Sequence, residues 1–202
     1  LFMVAGLLFA KFQLQQVFTS GSIKSILTSA WRIFLPSTII MGMWLWWNDI
    51  YALDILLLYS NLSGTHVTNF GYYWYIQVLL QILFIVVLLF SIRPMFEFSK
   101  SEPFKFGLAI LGISFVAFLV LLRYLPSDWN LHRLPAVPLW YFMIGWCIYF
   151  SNTSLKRVAI GHILAIFALL YFFLLYRAEL SLAQPMLIFV SGILLLLQSK
   201  IT

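Results

Sequence analysis

Charged residues are scarce in this chain of 202 residues, of which only 9% are Asp, Glu, Lys or Arg. A soluble domain of ordinary composition has about 25% charged residues, so the chain has too few to cover a surface that faces water. Hydrophobic residues reach 63% and aromatic residues 19%. The composition therefore excludes an ordinary soluble protein and favours one that is embedded in lipid.

Cysteine is almost absent as well. The single residue, Cys147, excludes an internal disulfide framework and a cysteine metal cluster, and we expect it to be a small buried apolar side chain. The net charge of +6 does not indicate a nucleic-acid partner, because the cations are spread over several loops and form no basic tract. We expect no metal and no bound cofactor.

Long apolar runs take the place of a polar surface. A bilayer core of about 30 Å needs about 20 apolar residues of helix, and helices satisfy their own backbone polar groups in lipid. The runs predict an all-α polytopic transmembrane bundle of about seven spans, forming a single domain over residues 1–202. The spans are residues 1–12, 31–47, 72–92, 104–122, 137–150, 158–176 and 185–197. A shorter run, residues 52–59, is predicted to be interfacial or re-entrant.

Lys and Arg are divided unevenly between the two sides of this bundle. Short loops rich in these residues stay in the cytoplasm, and alternate threading places nine of the twelve on one side, which is therefore predicted to be cytoplasmic. The larger set comprises Lys11, Lys24, Arg32, Arg93, Lys100, Lys105, Lys156, Arg157 and Lys200. The smaller set comprises Arg123, Arg133 and Arg177.

Three histidines are candidates for acid–base chemistry, because an unperturbed histidine has a pKa of about 6.5. His66 and His132 fall in predicted external loops, where a solvated polar side chain is the plainer interpretation. His162 falls inside a predicted span, where ionisable groups are functional candidates, although it is also close enough to one end to reach lipid headgroups. No spacing typical of a catalytic triad or a metal site connects the three.

Two glutamines and several aromatic residues are candidates for a substrate surface. Gln77 and Gln81 stand four residues apart, which places both amides on one inward face of a helix. Hydrogen bonding between helices would explain them, and lining a polar cavity is the alternative. The aromatic clusters that contain Trp47 and Trp74 are typical of an aromatic belt, with stacking on sugar rings as the alternative.

Small and helix-breaking residues bear on packing and on the class of protein. Gly145, Gly161 and Gly192 would permit close approach of helices. Transporters often contain internal repeats and helices broken by Gly or Pro near the membrane midplane. No repeat is evident, and Pro36 and Pro185 are predicted to stand at helix starts. A transporter or flippase for a glycan or lipid, or a non-catalytic scaffold, nevertheless stays open.

Four segments resemble motifs of one family of membrane enzymes. Residues 2–8 resemble F-x-x-S-G-[FY]-L, and residues 32–36 are similar to R-I-x-x-P. Residues 73–81 resemble W-[FY]-[IL]-x-x-L-[LI], and residues 134–146 resemble P-x-[FW]-x-x-F-x-x-G. In this order they resemble the integral membrane acyltransferase-3 family, whose members O-acylate surface polysaccharides, lipids and peptidoglycan.

The resemblance implies a bacterial inner-membrane bundle of roughly ten spans. Such a protein passes an acyl group, often acetyl, from cytoplasmic acyl-CoA to a hydroxyl of a glycan or lipid. Acetyl-CoA would be a co-substrate whose phosphates contact Arg32, with Lys24 as a second contact. On residue chemistry alone Arg32 is either a cytoplasmic anchor or a fork for phosphate. Trp74, Gln77 and Gln81 would approach the acceptor.

Two departures from the family pattern concern catalysis. The family's catalytic histidine and its accompanying arginine sit on the first helix, which would precede Leu1, so His162 is kept as a catalytic candidate by position alone. Of the family's cytoplasmic arginine pair only Arg32 is matched, because Ser29 stands at the partner's position and Lys24 lacks the guanidinium fork. The apolar run also begins at Leu1 without a polar lead-in. We therefore expect a fragment that is not catalytic by itself.

Overall fold

The computed structural model describes residues 1–57, 59–60, 73–124, 134–176, 190, 192–194 and 197. All regular secondary structure in these ranges is helical, as the apolar runs predict. The elements are α1 (Phe2–Leu8), π1 (Phe9–Gln13), α2 (Leu14–Ser20), α3 (Lys24–Trp47), α4 (Leu53–Leu56), α5 (Tyr73–Ser91), α6 (Arg93–Ser101), α7 (Pro103–Tyr124), α8 (Ala136–Tyr149) and α9 (Ser154–Tyr176).

Three segments in the described part of the chain are long and apolar enough to cross a bilayer. They are Lys24–Trp47, Tyr73–Ser91 and Pro103–Leu121, and α8 is a shorter apolar helix of 14 residues. The all-helical architecture and its membrane character therefore agree with the sequence. A total of seven spans stays a prediction, since most of residues 185–197 lies outside the described ranges.

Helix α8 is the centre of the packed bundle. Eleven of its 14 residues are buried, among them Trp140, Trp146 and Cys147. Helices α1 and α7 make the most extensive contacts with it, and α5 and α9 also pack against it. Cys147 is fully buried beside the carbonyl oxygen of Phe104, with a sulfur–oxygen distance of 3.9 Å, so the expectation of a buried small residue is confirmed.

Glycine allows α1 and α8 to cross in backbone contact. A Cβ atom added to Gly6 would overlap the carbonyl group of Phe142, and one added to Gly145 would overlap the carbonyl group of Met3. Small residues permit this close approach because no side chain separates the two backbones. The predicted packing role of Gly145 is confirmed.

The other two glycines that were predicted to pack differ from each other. A Cβ on Gly192 would lie 2.7 Å from a terminal carbon of Leu164, so this glycine does sit at a close contact. A Cβ on Gly161 would meet nothing within 4 Å. The prediction is therefore wrong for Gly161, because position 161 of α9 faces open space in the part of the chain that the structure describes.

Helix α3 begins at Lys24, seven residues before the predicted start of that span, and it continues through Pro36. The expectation that Pro36 stands at a helix start is wrong, because the more polar residues 24–30 are helical although they do not belong to the apolar run. Proline lacks a backbone N–H, so the carbonyl of Arg32 loses its ordinary helical donor. Helix α3 nevertheless shows no break at this position.

Six of the nine cations of the larger set lie at one end of the bundle. The rings of Phe18 and Phe96 lie 6.2 Å apart, and the ammonium of Lys156 lies 5.3 Å from the ring of Phe104. These contacts bring together the turns that follow α2, α5 and α8. This basic end carries Lys24, Arg93, Lys100, Lys105, Lys156 and Arg157. The predicted division of the cations between the two sides of the membrane, and the cytoplasmic position of this end, stay predictions.

Candidate functional site

A cavity of about 430 Å³ lies between α3 and α5. Ligand sites typically have volumes of about 300–1,000 Å³. Its side-chain wall is apolar apart from two amides, and it is lined by Phe34, Leu57, Gln77, Leu80, Gln81, Phe84, Ile85 and Pro135. The cavity therefore combines a hydrophobic wall with a small number of groups that can form hydrogen bonds.

Helix α5 supplies most of this wall. Its sequence is apolar from Val78 to Phe90 except for Gln81, and Gln77 stands one turn earlier. Residues four apart on a helix lie about 6 Å from each other on the same face. Both glutamines line the cavity, which confirms the prediction that they share a face.

Gln77 is paired with a serine that lies before α5 in the chain. The side chain of Gln77 is buried, and its Nε2 donates to Oγ of Ser60 at 2.8 Å. The Ser60 hydroxyl lies 3.1 Å from Oε1 of Gln77 and donates to it. Gln77 thus serves both interpretations made from the sequence, because it connects two segments and also lines the cavity. Ser60 was not predicted, since its pairing with Gln77 depends on the path of the intervening chain.

Ser60 and Gln77 are expected to stabilise the fold through the hydrogen bonds between them, so the effects of removing the two side chains should not add. A double-mutant cycle with Ser60→Ala and Gln77→Leu should give a coupling energy of about 0.6–1.7 kcal/mol, as measured for hydrogen bonds in membrane helices. The free energy of unfolding in mixed micelles is the measurement. Gln77→Leu combined with Ser114→Ala is the matched control, because Ser114 is buried but donates to the Leu111 carbonyl of its own helix at 2.9 Å. Equal coupling in the two cycles would contradict the pairing.

Trp74 takes part in packing at the start of α5 and does not line the cavity. Its ring is half-buried, 6.0 Å from the ring of Phe2 in α1. The neighbouring Tyr75 ring lies 4.5 Å from the same phenylalanine. Trp46 and Trp47, in contrast, are 79% and 82% exposed at the end of α3, as expected of an aromatic belt.

Arg32 and Lys24 lie on the outward face of α3. The exposed residues of this helix recur every three or four positions and form a continuous stripe. The stripe consists of Lys24, Leu27, Thr28, Trp31, Arg32, Leu35, Pro36, Ile39, Ile40, Met43, Trp46 and Trp47. Eight residues of helix separate Lys24 from Arg32 by about 12 Å along the axis.

The structure does not bring Arg32 to the cavity. Phe34 lines the cavity and stands two residues after Arg32, and residues two apart point to nearly opposite sides of a helix. Arg32 and the two glutamines therefore lie on different sides of α3. This relation was not readable from the sequence, because it depends on how α3 is rotated about its axis against α5.

His162 is exposed on α9, which packs against α8. Its Nδ1 lies 2.8 Å from the carbonyl oxygen of Val158, one turn earlier, a distance at which the Nδ1-protonated tautomer donates to that carbonyl. No hydrogen bond joins His162 to Arg32 or the glutamines within the described part of the chain. His66 and His132 lie outside the described residues.

Comparisons of the chain with protein-family profiles, with curated proteins and with solved structures find no match. The resemblance to the acyltransferase-3 family therefore depends on the four sequence segments alone. The first and the last of these segments contain Gly6 and Gly145, which meet at the crossing of α1 and α8.

Proposed function

We propose that the chain belongs to an O-acyltransferase and crosses the membrane about seven times. The enzyme moves an acyl group from cytoplasmic acyl-CoA to a hydroxyl of a cell-surface glycan or lipid. Acetyl is the proposed acyl group and acetyl-CoA the donor. The bacterial inner membrane is the proposed location, with the basic end of the bundle in the cytoplasm. The resemblance of four ordered segments supports this reaction class.

The observation that carries the proposal is the cavity between α3 and α5. Its apolar wall suits a hydrocarbon chain, and it also contains the amides of Gln77 and Gln81. An amide has two N–H donors and an oxygen with two lone pairs, so Gln77 keeps one donor and one acceptor position beyond its bonds with Ser60. An amphiphile with an apolar tail and a hydroxyl-bearing head meets both requirements. We assign the cavity to the acceptor, and Arg32 with Lys24 to the phosphates of the donor.

This assignment places α3 between the donor and the acceptor. Arg32 stands on the outward stripe of the helix, whereas Phe34 and the glutamines face the cavity. Changes on one face should therefore affect the binding of one substrate and leave the other unchanged. A transporter or flippase would instead use a single pathway, in which both sets of changes affect the same ligand.

Filling the cavity is expected to prevent binding of an amphiphile. Ile85→Trp places an indole in the cavity and should reduce labelling by a photoreactive alkyl glycoside at least about tenfold, because the indole takes up space that the alkyl tail needs. Leu88→Trp is the matched control, because Leu88 is 51% exposed on the same helix and does not line the cavity. Equal labelling of the two variants would remove the cavity from the acceptor site.

Donor binding tests the other face of α3. Arg32→Ala should weaken binding of a fluorescent acetyl-CoA analogue about tenfold or more, because a hydrogen bond to a charged phosphate contributes about 1.5–3 kcal/mol. Arg32→Lys should restore part of the affinity, since lysine keeps the charge but not the fork. Arg123→Ala, an exposed residue at the end of α7, is the control. Unchanged affinity in Arg32→Ala would remove Arg32 from the site, and a chain that binds neither probe would overturn the acyltransferase proposal.

A further inference from the structure

The short helix α6 lies between two helices that can span a bilayer. Helix α5 ends at Ser91, α6 covers Arg93–Ser101, and α7 begins at Pro103. Both Tyr73–Ser91 and Pro103–Leu121 have the length and composition of membrane spans. Because each connection to α6 is only one residue long, α6 must lie at the level where these two spans leave the membrane.

One side of α6 is apolar but only partly covered by protein. Phe96 packs against the rings of Phe18 and Phe90, at 6.2 and 5.8 Å. Met95 and Phe98 lie further round the same apolar side and remain 41% and 37% exposed, although the Phe98 ring also contacts the ring of Phe106 in α7 at 6.0 Å. The protein therefore covers Phe96 and one side of the Phe98 ring, and it leaves Met95 and the rest of Phe98 open.

The opposite side of α6 is polar and carries two cations. Arg93, Glu97 and Lys100 are exposed and recur at helical spacing. Neither Arg93 nor Lys100 forms an ion pair or a side-chain hydrogen bond in the described part of the chain. Lys105, at the start of α7, does form an ion pair, with Glu102 at 3.1 Å.

We propose that α6 is an interfacial helix that docks on anionic phospholipid headgroups at the basic end of the bundle. Met95 and Phe98 insert below the headgroups, while Arg93 and Lys100 contact the lipid phosphates. The amphipathic arrangement is that of helices lying in the plane of a membrane surface. The one-residue connections hold α6 at the ends of two candidate spans, and Arg93 and Lys100 suit anionic headgroups, which commits the occupant to the bilayer itself. Lys156 and Arg157 at the same end extend the positive surface.

Depth measurements on the full chain in lipid vesicles test the insertion. Single cysteines replace Met95, Phe98 or Glu97 and carry a nitroxide label, with the unsubstituted chain as the background for the buried Cys147. Collision with oxygen and with a water-soluble nickel complex reports the depth of each label. The labels at 95 and 98 should collide more often with oxygen, and the label at 97 should collide more often with the nickel complex. If all three labels favour nickel, α6 stands in water and the proposal is overturned.

Binding of phosphatidylglycerol, counted by native mass spectrometry, tests the headgroup contact. Each basic group near an anionic surface contributes about fivefold in affinity, so Arg93→Gln with Lys100→Gln should weaken binding several-fold. Glu97→Gln is the matched variant on the same exposed face, and it should strengthen binding. If α6 had a purely structural role, lipid binding would change in the same direction in both variants or would not change in either. Unchanged binding in the double variant overturns the assignment to anionic headgroups.

Discussion

Replacing Gly145 by alanine is expected to destabilise the bundle by about 3 kcal/mol or more, at or above the upper range for inserting a methyl group into a packed core. The added Cβ would overlap the carbonyl group of Met3. This carbonyl belongs to the backbone of α1 and cannot rotate away as a side chain could. Helices α1 and α8 would therefore have to separate along their whole contact. The free energy of unfolding by sodium dodecyl sulfate in mixed micelles measures the loss.

The chain offers matched controls for this prediction. Gly6→Ala addresses the same crossing from α1, where the new Cβ would overlap the carbonyl of Phe142, and should be equally destabilising. Gly112→Ala lies on α7, where a Cβ meets nothing within 4 Å, so it should be neutral or stabilising through helix propensity. The double variant Gly6→Ala/Gly145→Ala should lose less than the sum, because the first change already separates the helices. If Gly145→Ala and Gly112→Ala are equally stable, the backbones do not touch.

This crossing gives two of the family-like segments a structural explanation. Gly6 belongs to residues 2–8 and Gly145 to residues 134–146, and each glycine makes room for the backbone of the other's helix. Glycine at these positions is thus required by packing, whatever chemistry the protein performs. The functional weight of the resemblance therefore lies more with Arg32 and with the α5 segment that contains Gln77 and Gln81.

The ends of a helix are predicted most accurately where the apolar run and the helical backbone stop at the same residues. Residues 72–92, 104–122 and 137–150 match α5, α7 and α8 to within two residues at each end. Turn-forming or charged residues follow each of these runs, so the signal for lipid and the signal for helix stop at nearly the same place.

Helices that include polar residues are the ones that apolar runs do not predict. Helix α3 starts with seven more polar residues, and α6 is short and carries charge on one side. Both are stabilised by backbone hydrogen bonds and by one buried face, neither of which requires a continuous apolar run. The amphipathic spacing of α6 was the signal that could have revealed it.

Some features of the candidate site depend on one helix alone, and others depend on how distant parts of the chain meet. The shared face of Gln77 and Gln81 is a property of one helix, and the sequence is sufficient to predict it. The partner of Gln77 is Ser60, which is 17 residues away in the chain. The position of Arg32 relative to the cavity depends on how two helices are rotated against each other. Neither relation is encoded in a local pattern.

Trp146→Ala is expected to cost about 3–5 kcal/mol of stability, the range for removing a large aromatic side chain from a packed core. Trp146 is fully buried in α8, and its ring lies 5.9 Å from Phe9 and 5.7 Å from Phe106, so it contacts elements on both sides of the central helix. Its indole N–H also donates to the carbonyl oxygen of Pro103 at 2.8 Å. Unfolding in mixed micelles is again the measurement, and Trp47→Ala, on an exposed residue, should be nearly neutral.

A pair of phenylalanine variants separates the hydrogen bond of Trp146 from its packing. Trp140 is buried in the same helix, but its indole N–H has no partner among the described residues. Trp146→Phe should therefore cost about 1 kcal/mol more than Trp140→Phe, the net value of one hydrogen bond. Equal losses would show that the bond to Pro103 contributes nothing. The helix contact would then depend on ring packing alone, with Phe9 and Phe106 holding α8 against its neighbours.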